Sequence, residues 1–190
     1  MSILSWLNSK ILLEDDEILE MLRKSETHEF NNLRKKHPRA DVSLEGVDLR
    51  GANLSNVNLS NSNLSHVNLS NVNLYGADLT NSNLSNSILY GTDFTNANLK
   101  KTNFTFAKFF DTDDDNPDAN FTNANTQDTQ FLYGIKFPES LKKNQMKTIR
   151  WVKSEEMKRC KHENSDESVS YLGGVSVNYR CKSCGYEWGG

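Results

Sequence analysis

The residues best suited to chemistry lie near the C-terminal end: Cys160 and His162, then Cys181 and Cys184, with Gly185 following. They use all three cysteines of the chain and one of its four histidines. Thiolate and imidazole are soft to borderline donors, and two close pairs separated by a longer insert can surround one tetrahedral Zn2+. Gly185 permits the tight turn that such a pair needs. Four protein ligands leave no open coordination position, so the expected metal is structural rather than catalytic. Tyr179, Tyr186 and Trp188 are the main large apolar residues of this tail. They bury too little to fold it alone, and metal binding would supply the difference. Lys158, Arg159, Lys161, Arg180 and Lys182 crowd the four ligands. They either screen a centre bearing three thiolates or contact nucleic acid phosphates.

What carries this tail is a chain of 190 residues, 36% hydrophobic, with a net charge of -3. From Leu44 a large apolar residue recurs every five positions through Leu49, Leu54, Leu59, Leu64 and onward to Phe94, Leu99 and Phe104, thirteen in all. Two residues before each lies a small or β-branched one, such as Val42, Val47, Ala52, Val57 and Ser62, and an Asp or Asn usually stands between. A period of five fits neither the 3.6 residues of an α-helix nor the two of a strand. A chain that turns a corner every five residues satisfies it. Both apolar residues then point inward, the polar one outward, and pairs such as Ser-Asn, Tyr-Gly and Thr-Asn form the corner.

The units ANLSN, ADLTN and ANLKK resemble the pentapeptide repeat family, written A(D/N)Lxx. That resemblance implies an all-β solenoid: a right-handed quadrilateral β-helix with four units per coil and stacked Leu or Phe inside. The C-terminal segment resembles a zinc ribbon over roughly residues 157–190, although its first pair has one intervening residue where the commonest ribbons have two or more.

Four parts follow. Residues 1–41 are expected to form a helical N-terminal cap, because Ile3, Leu4, Leu7, Ile11 and Ile18, Leu19, Leu22 recur near helical spacing. A second short helix through Phe30 and Leu33 should stop before His37-Pro38. Residues 42–134 form the β-helix, interrupted by an acidic loop at 111–118. Phe121 follows Phe104 by seventeen residues, read as two extra residues in the ladder. The run Asp111, Asp113, Asp115 begins like a calcium loop, but Asn116 and Thr122 stand where that loop needs Gly and Glu, so a solvated loop is expected. Residues 135–159 are expected to be a linker helix from Pro138, with Leu141, Gln145, Thr148, Ile149 and Val152 on one face. Residues 160–190 are the zinc-ribbon-like tail.

No nucleotide-binding glycine loop or nucleophile elbow occurs, and His28, His37 and His66 lack patterned partners, so an enzyme is not expected. Neither is a membrane span or a signal peptide, and the expected location is the cytoplasm. The leading expectation is a non-catalytic scaffold that presents β-helix faces to a protein partner, with self-association left open. A rival follows from the family resemblance: a DNA mimic that inhibits or protects a type II topoisomerase or another DNA-binding protein. Mimicry needs rows of negative charge, whereas residues 51–99 contain only Asp78 and Asp93. Four coils at ~4.8 Å also reach only ~20 Å, or about six base pairs. A third expectation is nucleic-acid binding through the basic tail. Residues 132–190 carry eleven Lys/Arg against seven Asp/Glu, while residues 42–131 carry four against ten. Ice binding is set aside for want of regular Thr rows.

Overall fold

The computed structural model describes residues 15–38, 40, 42–110, 117–132, 138, 140–141, 143–152, 179–180 and 187–188. Its organising feature is a step of twenty. Asn53 pairs in parallel with Asn73, Asn73 with Asp93, Asn58 with Asp78 and Asp78 with Asn98. Four five-residue units therefore make one coil, and each outward Asn or Asp sits above its counterpart. The pairings are brief bridges rather than long strands because the chain bends after every third residue. Leu44, Leu49, Leu54, Leu59 and their successors to Phe104 are all buried, and so is most of the small column. In the later coils Phe replaces Leu. Phe94 stacks on Phe121 with ring centroids 4.9 Å apart, and Phe104 stacks on Phe131 at 5.2 Å.

Each corner is a β-turn closed by a backbone bond, as from Val57 N–H to the Leu54 carbonyl. Its second residue is left-handed throughout: Asn56, Asn61, Asn71, Asn81, Asn86 and Asn96 have φ between 57° and 59°. A turn with positive φ at that position selects Asn or Gly, which explains the Ser-Asn and Tyr-Gly pairs.

The step lengthens once. Asp93 pairs with Asn120, Asn98 with Asn125 and Asn103 with Gln130, a separation of 27. Seven extra residues have entered, not two. Phe109 occupies the next interior position after Phe104, and Phe121 the one after that. Residues 111–116 lie outside the described part. The chain rejoins the coil at Pro117, whose carbonyl accepts the Gly91 N–H.

Two helices precede the first coil, α1 (Asp15–Arg23) and α2 (Thr27–Lys36). They bury Ile18, Leu22 and Phe30, and α2 stops before His37-Pro38 as expected. Ile3, Leu4, Leu7 and Ile11 lie outside the described residues. The open edge of the first coil finds partners here. Ser25 Oγ accepts the Asn53 N–H at 3.0 Å, and Asn31 Oδ1 accepts the Asn58 N–H at 2.7 Å. Asn31 Nδ2 donates to the Asn56 carbonyl and Arg34 Nη2 to the Ser60 carbonyl.

At the other end the described part of the expected linker helix holds a helix and a strand. Among its described residues α3 (Lys143–Met146) is helical, and β2 (Arg150–Val152) runs parallel to β1 (Gln130–Leu132) with Arg150 opposite Gln130. This is the step of twenty once more. The β-branched and aromatic residues Ile149, Trp151 and Val152 suit a strand, and the unpaired edge of the last coil rewards one. Gln145 Nε2 donates to the Phe121 and Ala124 carbonyls, both at 2.9 Å. The remainder of 135–159 lies outside the described residues.

Candidate interaction surface

The outward Asn and Asp do more than face water. Asn83 Oδ1 accepts the Ser85 N–H, Asn103 Oδ1 the Thr105 N–H and Asn120 Oδ1 the Thr122 N–H. Each side chain thus bonds the backbone two residues on and fixes its own corner, as Asx turns do. Many also bond the coil below: Asn103 Nδ2 donates to Asn83 Oδ1 at 3.0 Å, and Asn125 Nδ2 to Asn98 Oδ1 at 3.0 Å. The faces are consequently rigid sheets of amides and hydroxyls. Asp78 and Asp93 are occupied in the same way, Asp78 Oδ1 taking the Thr80 N–H and hydroxyl and Asp93 Oδ1 those of Thr95.

Charge is concentrated at the ends of this surface. Beside α1, a shallow hollow is lined by Arg23, Asp48, Leu49, Arg50 and Ala52, and Arg50 Nη2 lies 2.8 Å from Asp48 Oδ2. Hydrogen bonds from Arg50 hold the Asp48 carboxyl below its ordinary 3.8. At the far end stand Lys100, Lys101, Lys108, Lys147 and Arg150. Sequence reasoning missed Lys101, Lys147 and Arg150 as a group with Phe106. The available signal was that Lys101 and Phe106 break the Asn/Gly rule at the second corner position. His66 breaks it too and is exposed at its corner, as expected.

Of the sequence-predicted ligands, Cys160, His162, Cys181 and Cys184 all lie outside the described residues, as do Lys158, Arg159, Lys161 and Lys182. The backbone of Arg180 belongs to β3 (Tyr179–Arg180), which pairs antiparallel with β4 (Glu187–Trp188). In backbone register Tyr179 pairs with Trp188 and Arg180 with Glu187, so the segment holding Cys181 and Cys184 joins the two strands. Among the described residues no cluster of His, Cys, Asp and Glu could hold a metal, and no helix is long and apolar enough to cross a membrane.

The family model for pentapeptide repeats matches residues 43–81 and 77–113, in eight copies. Residues 43–113 are pentapeptide repeats. The family places them in a right-handed β-helix, in keeping with the step of twenty. Among solved structures, the chain is 30% identical to Rfr23, a pentapeptide repeat protein from the cyanobacterium Cyanothece, over 45% of this chain and 56% of that one, with a TM-score of 0.30. QnrB1, a plasmid-mediated fluoroquinolone resistance protein, is 14% identical over 64% of this chain and 63% of its own, with a TM-score of 0.33. HetL of Nostoc, involved in heterocyst differentiation regulation, is 20% identical over 51% of this chain and 57% of its own, with a TM-score of 0.18. The chain thus spans about 56% and 63% of the first two relatives' own length. No curated protein matches it.

Proposed function

We propose that this pentapeptide repeat protein is a non-enzymatic cytoplasmic scaffold whose β-helix faces dock a protein partner. One observation carries the reading. The outward Asn columns are bonded both to their own corners and to the coil below, as in Asn103 to Asn83. Such a face loses little conformational freedom on binding, which is how preorganised surfaces gain affinity. In this reading α1, α2 and residues 138–152 act as end caps that stop rods from stacking edge to edge. DNA mimicry is the weaker alternative, because Asp78 and Asp93 already serve their own corners.

The tail carries a structural zinc in the same proposal, with Cys160, His162, Cys181 and Cys184 holding it. The hairpin formed by β3 and β4 supports this, since it brings together the two ends of the segment that contains Cys181 and Cys184. When bound, the metal supplies folding free energy and no reaction.

The test begins with affinity purification from the native host and reconstitution with the purified partner. Asn→Arg substitutions are then placed on each face in turn, at Asn63, Asn68, Asn73 and Asn98. Binding lost on one face with an unchanged circular dichroism spectrum supports the scaffold; binding indifferent to all four faces refutes it. Inhibition of gyrase supercoiling by the purified chain would instead favour the DNA mimic.

A further inference from the structure

One side of the fourth coil departs from the amide pattern. It runs from Lys101 at one corner, through Asn103 at mid-face, to Phe106 at the next corner. Phe106 is 53% exposed, and its backbone is left-handed with φ 62°. An aromatic residue gains nothing from water there, at a corner position that Asn or Gly fills in most units. Above Asn103 stand Gln130 and then Arg150, in parallel register. The Lys101 N–H bonds the Gln127 carbonyl and the Asp128 N–H bonds the Thr148 carbonyl, which sets exposed Lys147 over the corner of Lys101. Lys101, Lys147 and Arg150 are all exposed, and Asp128 is the acid at this corner. Among the described residues the ion pairs are Glu20–Lys24 and Asp48–Arg50, so these cations form none.

We propose that this side of the rod binds single-stranded nucleic acid, its phosphates meeting Lys101, Lys147 and Arg150 and a base stacking on Phe106. Cations track a phosphate backbone, and an accessible ring offers a stacking platform that any unpaired base can use. A duplex keeps its base faces stacked internally and has no use for the ring. An acidic peptide would engage the cations alone. The site is separate from the zinc-ribbon-like tail and from the amide faces of the scaffold reading.

Fluorescence anisotropy of the full chain with labelled oligo-dT and oligo-U of about 20 nucleotides tests it, at several salt concentrations. Three engaged cations predict a slope of log affinity against log salt near -2, at ~0.7 per phosphate on single strands. The double variant Lys101→Glu, Arg150→Glu should lower that slope in magnitude by ~1.4. Phe106→Asn should weaken binding about tenfold, within the range seen when stacking rings are removed. The same substitution restores a residue suited to the left-handed corner, so its melting temperature should not fall, which separates lost stacking from lost folding. Several results would overturn the proposal: no binding at low salt, indifference to Phe106→Asn, duplex or polyglutamate binding as tightly, or loss caused only by Arg180→Glu with Lys182→Glu in the tail.

Discussion

Replacing Asn31 by Ala should loosen the start of the rod selectively. Asn31 accepts the Asn58 N–H at 2.7 Å and donates to the Asn56 carbonyl at 2.9 Å, so one side chain serves two edge groups of the first coil. A net hydrogen bond is worth about 0.5–1.5 kcal/mol, and a donor left unpaired in a partly buried place costs more. The expected loss is therefore about 1–3 kcal/mol. In a solenoid each coil leans only on its neighbours, so the loss should concentrate in the first coil. Amide hydrogen exchange is the assay: protection at Asn58 should fall by roughly five- to a hundredfold, while that at Leu84 and Leu99 stays unchanged. Asn31→Asp keeps the acceptor and removes the donor, and should fall between wild type and Ala. Unchanged protection at Asn58, or an equal loss at Leu84, would refute the capping argument.

Ser62→Ala should stabilise the protein by about 1 kcal/mol in urea melts, because the Ser62 hydroxyl is buried with no partner among the described residues. Gly76→Ala should cost about 1–3 kcal/mol by the same measurement, since its φ is 65° and an added Cβ would sit 2.6 Å from Asn56 Oδ1. The depressed Asp48 carboxyl contributes stability above its ordinary 3.8, lost as pH falls through its folded value. Asp48→Asn should accordingly flatten the acid limb of a stability profile, slightly and less so in high salt. Native mass spectrometry should find one zinc per chain, lost on Cys184→Ser. Chelation should remove the tail's ordered signals and leave the rod's melting intact.

Much of the rod was legible in the residues because one geometry satisfies every column. Large apolar residues at every fifth position have no other way to reach a common interior, and Asn or Gly at the second corner position announces its positive φ. Phase alone gives an insertion only modulo five, so seven residues read as two; the pairing of Asp93 with Asn120 decides between them. The helix expected from Pro138 does not continue through Arg150–Val152, for a tertiary reason. Its apolar spacing was compatible with a helix, but the strand-like groups exposed at Gln130–Leu132 claimed Arg150–Val152. Phe106 went unread as a surface residue because apolar composition counts a phenylalanine as core, although the five-residue phase puts it at a corner. The second function of the outward Asn, fixing its own corner, was likewise hidden behind the simpler expectation that it faces water.

The step of twenty makes orientation a matter of counting units. Deleting one five-residue unit would leave every interior column in phase, so the rod would still fold. Every residue beyond the deletion, however, would be turned by a quarter of a revolution relative to those before it. Asn103 would leave the line of Asn63 and Asn83 and join that of Asn58 and Asp78. The seven residues added between Phe109 and Ala119 cause no such rotation, since they leave and rejoin at the same corner and Asn120 still stands over Asp93. Loops can therefore grow at corners without disturbing a binding face, whereas a gain or loss of whole units re-aims one half of the molecule against the other.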